Sequence, residues 1–337
     1  MGNNKILYIG NFLSKTHGTI GPAVALVNRF RESGHIVNTA SENKVKFLRL
    51  IEMSGKTFFR NYSTIIIDVY STSAIIFAEV CSFIARLRRK RIVLVLRGGG
   101  LVDGYKNNPC RIDKMFNKAT IITTPSMFLK SYFQNMGYSV TYIPNTIDVD
   151  RFCFKQERPR NHSILWVRAF TKIYNPDIAV RVLAEVKKRF PDTTLNMIGP
   201  DKGNKKEIVE LINTLGLSDS IKMTGKIPNE NLPEFYHTHD VYLNTTSYES
   251  FGVAVLEAAS CGTPVVSTSV GEIPLMWQDG ENIMLAKDID ARKLAEKVCD
   301  LFSDADLYDS VQINAKHKAE CYSWKCVEKQ WDELLKL

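Results

Sequence analysis

Two glutamates, Glu249 and Glu257, stand eight positions apart in YESFGVAVLEAASCGTPVV (248–266), with Gly252 between them. On an α-helix eight residues turn through about 800°, roughly 80° past alignment, so the two carboxylates would not share a face and would serve different ends. Apolar Phe251, Val255 and Ala258 recur at near-helical spacing, which predicts a helix capped by Ser250 and stopped at Gly262. The N–H groups of Ser250, Phe251, Gly252 and Val253 would then point out of the helix start, and Gly252 would let a ligand approach the backbone closely. That is an anion site suited to phosphate. Glu249 falls in the loop after the strand-like DVYLNTTS (240–247), where open α/β sheets place their ligands, and Glu257 flanks the same crevice from two turns into the helix. The plainer alternative is two solvated glutamates on an amphipathic helix. Apolar neighbours Tyr248, Phe251, Val255 and Ala258 argue against it, because charge in such a setting is costly without a purpose.

A scaffold must hold these groups, and its rhythm is legible. Strand-like KILYIGNF (5–12), STIIIDVY (63–70), RIVLVLRGG (91–99) and TIITTPS (120–126) alternate with helical segments such as GPAVALVNRFRESG (21–34). A second alternating series runs from SILWVRAF (163–170) to TPVVSTS (263–269), and helical patterns fill 289–337, with Trp324 and Trp331 in the last of them. Such alternation implies α/β architecture with parallel sheets and right-handed crossovers. Proline, asparagine and charge interrupt the periodicity at 142–163. The expectation is therefore two Rossmann-like domains facing a cleft, covering 1–158 and 159–318, with a C-terminal helix at 319–337 returning to the N-terminal domain.

At 337 residues and 45% hydrophobic, the chain is long enough for two domains with their own cores. Seven cysteines without a C-x-x-C pair suggest neither a disulfide framework nor a zinc ribbon, so reduced cytosolic thiols are expected and no metal site is read. Among known motifs, GTIG (18–21) and RGGGLVDG (97–104) have the wrong spacing for a dinucleotide fingerprint. SGKT (54–57) lacks the first glycine of a P-loop, and no G-x-S-x-G elbow occurs. The start MGNNKILYIGN is not an export signal, and the apolar window 63–87 is broken by Asp68 and Glu79, reading as strand plus helix instead of a membrane span. The expected location is the cytoplasm, with peripheral attachment to the inner membrane face as an option. Net charge is +8, concentrated in RLRRKR (86–91). That run reads either as a solvated helix terminus complementing the dipole or as an attraction to an anionic membrane leaflet. Nucleic acid is not the expected partner, because no aromatic-interleaved RNA motif or zinc finger accompanies the charge.

The run E-S-F-G-x-x-x-x-E, continued by A-x-x-C-G-T-P-V-V-S-T-x-V-G-E-I-P to Pro274 and D-G-E-N at 279–282, resembles the GT-B retaining glycosyltransferases, specifically glycosyltransferase family 4. GTIGP (18–22), PNTIDVDRF (144–152) and TGKIP (224–228) are weaker matches, and the similarity covers nearly the whole chain. The resemblance implies transfer of a sugar from a nucleoside diphosphate sugar to a hydroxyl of a glycan or lipid-linked acceptor, with retention, no metal and no cofactor beyond that co-substrate. It also implies roles. Glu249 would contact or brace the donor sugar, and Glu257 the nucleotide ribose diol. The amides at Phe251, Gly252 and Val253 would hold the diphosphate, Gly225, Lys226 and Ile227 would line the base pocket, and Gly18 and Gly21 would bring the first domain's backbone to the donor phosphates or the acceptor.

Two departures stand out. The family pattern Gly-Arg with a following Lys is displaced in LWVRAFTKIYNP, leaving Arg168 and Lys172 as the cations for the leaving diphosphate, Arg168 favoured for its bidentate fork. Many relatives carry a histidine where this chain has Arg97, so that either Arg97 supplies that donor-sugar contact or the substrate differs. The alternatives are a catalytically silent nucleotide-sugar binder and another GT-B enzyme such as a sugar-nucleotide epimerase. A phosphorylase would need a Schiff-base lysine, for which there is no candidate.

Overall fold

In the computed structural model, which describes residues 5–12, 21–40, 43, 45–70, 75–98, 100–158 and 160–336, packing divides the chain into two units, Met1–Thr146 with Trp324–Leu337, and Ile147–Ser323. The first unit runs β1 (Lys5–Ile9), α1 (Pro22–Glu32), β2 (Ile36–Ala40), α2 (Lys46–Phe59), β3 (Thr64–Val69), α3 (Ile75–Leu87), β4 (Arg91–Leu96), α4 (Leu101–Asn107), α5 (Pro109–Phe116), β5 (Ile121–Thr124), α6 (Met127–Asn135) and β6 (Val140–Tyr142). The second runs β7 (Ser163–Val167), α7 (Pro176–Val186), β8 (Thr194–Ile198), α8 (Lys205–Thr214), β9 (Ile221–Gly225), α9 (Leu232–Thr238), β10 (Val241–Asn244), α10 (Val253–Ser260), β11 (Val265–Thr268), α11 (Ile273–Met276), β12 (Met284–Ala286), α12 (Ala291–Ser303) and α13 (Ala305–Glu320). The chain ends in α14 (Trp324–Lys336).

Each unit holds a six-stranded parallel sheet, ordered β2-β1-β3-β4-β5-β6 in the first and β9-β8-β7-β10-β11-β12 in the second. TIIIDV in β3 is buried along its whole length and RIVLVL in β4 nearly so, as expected of parallel strands covered by helices on both faces. In both sheets the order reverses once, beside β1 in the first unit and between β7 and β10 in the second. At such switch points the crossovers run to opposite sides and leave a crevice at the carboxyl ends of the strands.

The expected boundaries shift. Residues 147–158 lack hydrophobic periodicity but belong to the second unit, where Phe152 is buried in the core. Arg158 there donates through Nη1 to the carbonyls of Tyr236 (2.5 Å) and His239 (3.1 Å) and to Thr263 Oγ1 (3.0 Å). An arginine fork that satisfies loop carbonyls ties down a segment with no periodicity to announce it. Ala319 and Tyr322 also pack in that unit's core, so the second crossing comes at Ser323/Trp324, not at 318/319. Helix α14 returns to the first unit as expected. Its Val327, Trp331, Leu334 and Leu335 join the cluster around Phe30, with Trp331 edge-on to Phe30 at 5.4 Å, and Arg91 donates to the carbonyl of Leu335 at 2.9 Å.

Candidate functional site

At the switch point of the second unit, Arg168 leaves the end of β7 and meets Glu249 from the loop after β10. Nη2 of Arg168 donates to Glu249 Oε2 at 2.5 Å, and the two side chains are each 12% exposed. Asn244 closes the triangle. Its Oδ1 accepts from Arg168 Nη2 (3.1 Å) and Nε (3.3 Å), while its amide nitrogen donates to Ser267 Oγ (2.9 Å). The Arg168 guanidinium also lies 5.1 Å over the Tyr174 ring. A charge-assisted pair held from three sides is already oriented before any ligand arrives. Behind it, Asn175 Nδ2 donates to Thr245 O and Ser247 Oγ, both at 2.8 Å, and Thr245 Oγ1 donates to the carbonyl of Tyr174 at 2.6 Å. These bonds bind the loop after β7 to the loop after β10.

Two glycines make this convergence sterically possible. Gly199, just past β8, has φ +153°, and a Cβ there would lie 1.8 Å from the carbonyl oxygen of Arg168. Gly271 has φ +57°, and a Cβ would lie 2.1 Å from the carbonyl oxygen of Glu249. That same oxygen accepts the N–H of Glu272 at 2.9 Å. The backbones carrying the ion pair are thus each packed against a position where no side chain fits.

The helix after Glu249 starts later than its sequence suggests. Helix α10 begins at Val253 with Gly252 as N-cap at φ 85°, and no side chain caps it. A residue in that left-handed conformation cannot continue a helix backwards, so Ser250 is an exposed loop residue and not the cap. Phe251 turns inward, 4% exposed and edge-on to Tyr322 at 5.8 Å. Of the four amides expected at the helix start, only those of Gly252 and Val253 stand there, joined by Ala254 and Val255, because the first N–H groups of any α-helix lack intrahelical acceptors.

Glu257 lies inside α10, buried, where its Oε2 accepts the hydroxyl of Tyr236 at 3.2 Å. Burial pushes its carboxyl up from 4.5 to about 7, against the Tyr236 hydrogen bond and the charges of Arg151 and Arg168, which lower it. A raised carboxyl pKa means that the folded chain holds a proton the unfolded chain has shed between those values. Its contribution to stability is therefore present at low pH and is lost as pH rises towards 7. Nearby, the Tyr242 hydroxyl and Arg151 Nε are buried with no hydrogen-bond partner among the described residues. These two, with Asn244, Gly199 and Gly271, had no role in the sequence reading. The signal available for the glycines was their place directly after strand-like runs.

The remaining expected residues are scattered. Lys172 is exposed, in a 3₁₀ turn over Lys172–Tyr174, with no side-chain partner among the described residues. Gly225 ends β9 at φ +77° and its carbonyl accepts the N–H of Gly199 at 2.9 Å, Lys226 is exposed, and Ile227 packs on the core, so this trio stands two strands from Arg168, beyond β8. Gly21 is the N-cap of α1. Gly18 lies outside the described residues.

Arg97 is engaged within the first unit. Nε donates to Asp68 Oδ1 (2.6 Å), Nη1 to Asn145 Oδ1 (2.6 Å) and Nη2 to Tyr8 Oη (3.3 Å), while Tyr8 Oη donates to Asp68 Oδ1 (2.8 Å). The pair is 6% and 0% exposed. Burial and the Asp68 carboxylate hold the Tyr8 phenol well above its usual pKa. This closed network lies at the ends of β1, β3 and β4, the first unit's own switch point.

The chain is similar to a D-inositol 3-phosphate glycosyltransferase of Corynebacterium jeikeium, 26% identical over 271 residues that cover 71% of this chain and 64% of that protein. It is also similar to the D-inositol 3-phosphate glycosyltransferase of Salinispora arenicola, 25% identical over 235 residues, 67% of this chain and 49% of that one. In both cases the match spans less than two thirds of the relative's length. Among solved structures, Anabaena HepE in complex with UDP superimposes with a TM-score of 0.77 at 17% identity, covering 98% of this chain and 99% of that one. Sucrose-phosphate synthase from Thermosynechococcus elongatus does so with 0.77 at 16%, covering 99% and 98%. These likenesses establish a two-unit α/β fold of the GT-B type. The family described as glycosyl transferases group 1 matches residues 150–318, half the chain and the whole of the Arg168–Glu249 arrangement, and this chain belongs to it.

Proposed function

We propose that this chain transfers a sugar from a nucleoside diphosphate sugar to a hydroxyl of a saccharide or lipid-linked acceptor, with retention at the anomeric carbon and without a metal ion. The observation that carries the reading is the Arg168–Glu249 pair at the switch point, beside the opened start of α10. When the bond from the anomeric carbon to the phosphate oxygen breaks, negative charge gathers on the diphosphate. Arg168 and the amides of Gly252, Val253 and Ala254 are the preorganised groups to receive it. Glu249, held by Arg168, braces the sugar, and Lys172 is free to approach the phosphates from its exposed turn. Gly225 to Ile227 line the base. Arg97 enters this reading as the residue that fixes Asp68 and the first unit's crevice, with Gly21, and Gly18 if it follows the family, bordering the acceptor side.

The test is a panel of nucleoside diphosphate sugars, read by thermal shift and by nucleotide release, with and without EDTA. Expected is stabilisation by one nucleotide class, about 2.7 kcal/mol at roughly 100 times the dissociation constant, and slow donor hydrolysis that EDTA leaves unchanged. Stabilisation without any release would favour a silent binder, and activity restored only by added metal would remove the metal-free mechanism.

Glu257 is proposed as the acceptor for the ribose diol, which requires its ionised form. Nucleotide affinity should therefore rise with pH up to about 7 and level off above it, with a proton released on binding below that value. Calorimetry in buffers of different ionisation enthalpy reads the proton directly. Glu257→Gln should weaken binding by about 1–3 kcal/mol and flatten the pH dependence; a variant that keeps the wild-type slope would assign the titration elsewhere.

A further inference from the structure

Nine of the twenty large hydrophobic side chains that lie exposed among the described residues fall between positions 45 and 87, in and around α2 and α3, so the exposure is local and not general. At about 100° per residue, Phe47, Leu48, Ile51, Phe58 and Phe59 occupy an arc of roughly 120° on α2. That arc faces outward: Phe47 is 69% and Phe59 81% exposed, while Met53 and Thr57 are the buried side chains of this helix. Gly55, within the same arc, has open space where a Cβ would stand. An amphipathic helix in a folded unit normally turns its apolar arc to the core, so this one is reversed. On the neighbouring α3, Leu87 is 67% exposed.

The basic run at the end of α3 is joined to this face. Arg88 Nη1 donates to the carbonyls of Thr57 (2.9 Å) and Arg60 (2.8 Å), clamping the end of α3 against the aromatic end of α2. Arg91 points the other way, to α14. Arg60, next to Phe59 in the chain, and Arg86 and Arg89, on either side of the clamping Arg88, are exposed. Apolar side chains that want to leave water, rimmed by exposed arginines, match an anionic bilayer surface, where the rings enter the acyl boundary and the guanidinium groups meet lipid phosphates. A second copy fits worse, because in a two-fold contact the arginine end of α2 would meet either its own copy or, with the helices antiparallel, the end carrying Lys46 and Arg49, like charge against like in both cases.

We propose that α2, with the basic end of α3, is a membrane-docking surface that seats the first unit on an anionic lipid leaflet. It is independent of the transfer reading, since donor hydrolysis in solution does not use this face. The experiment is flotation of the full chain with vesicles of phosphatidylcholine alone or with about one third phosphatidylglycerol, at about 0.1 M and 0.5 M salt. Expected is binding to the anionic vesicles, at least tenfold weaker on neutral ones and weakened by salt. Phe58→Ser with Phe59→Ser should reduce binding at least tenfold, as should Phe47→Ser at the other end of the arc if the first pair disturbs folding. Arg86→Gln with Arg89→Gln should reduce it by roughly tenfold and shrink the salt effect. All variants should keep the wild-type melting midpoint and donor hydrolysis. The proposal is overturned if the chain ignores anionic vesicles, if it binds neutral ones equally, if well-folded variants bind like wild type, or if the wild type is a dimer that the phenylalanine substitutions split.

Discussion

Replacing Arg168 by alanine is expected to lower turnover by about 10²–10³-fold, the loss typical of removing one preorganised donor to a developing anion, while nucleotide affinity changes far less. The reasoning rests on where the guanidinium is held. Glu249, Asn244 and the Tyr174 ring fix it at the end of β7 before any donor arrives, so its interaction with the leaving diphosphate costs no reorganisation in the transition state. The substitution also leaves Glu249 Oε2 and Asn244 Oδ1 without this donor, so a stability loss of about 1–3 kcal/mol should accompany it. Separate kcat and KM values, measured below the melting midpoint of the variant, divide the two effects. A second alanine variant at Lys172, exposed and unpaired among the described residues, should cost less than the first. Unchanged kcat in Arg168→Ala would transfer the role to Lys172 and dissolve the mechanism proposed for the pair.

The second large effect concerns a residue with no side chain. Gly199→Ala should destabilise the second unit by about 3–5 kcal/mol, through a backbone conformation that belongs to glycine and a steric conflict that no rotamer relieves. The added Cβ would lie 1.8 Å from Arg168 O and 2.6 Å from the carbonyl carbon, so strand β7 or the turn after β8 must move. Gly216→Ala is the control. It also has positive φ, +66°, but nothing lies within 4 Å of its added Cβ, so only the conformational penalty of about 1–2 kcal/mol applies. Thermal unfolding of both variants should show the Gly199 midpoint falling by roughly 10 °C, several times the Gly216 shift. Equal shifts would mean that the backbone at Arg168 is free to give way. Because any movement there displaces Arg168, residual activity in Gly199→Ala should also fall below that of the control.

The glutamate pair shows how far local pattern reaches. Glu249 in a loop and Glu257 within the helix that follows were readable from the local pattern, and the structure keeps them apart, one on Arg168 and the other on Tyr236. The helix starts two residues later than the spacing implies, since the spacing of Phe251, Val255 and Ala258 cannot reveal that Gly252 adopts a left-handed conformation. Loss of periodicity at 142–163 signalled a crossing between units, but its place depended on Arg158 finding carbonyls about eighty residues away in sequence, which no local pattern encodes.

By itself, the sequence determined the alternation of strands and helices, the two parallel sheets and the loop and helix start that are proposed to hold the diphosphate. Those features follow from backbone hydrogen bonding and side-chain periodicity over a few residues. Only the tertiary structure decided that Arg168 meets Glu249 across 81 positions, that Arg97 is spent on Asp68, and that the apolar arc of α2 faces outward. Such pairings depend on which strands become neighbours and on where two backbones can touch, and a helical pattern states that an apolar arc exists without stating which way it will turn.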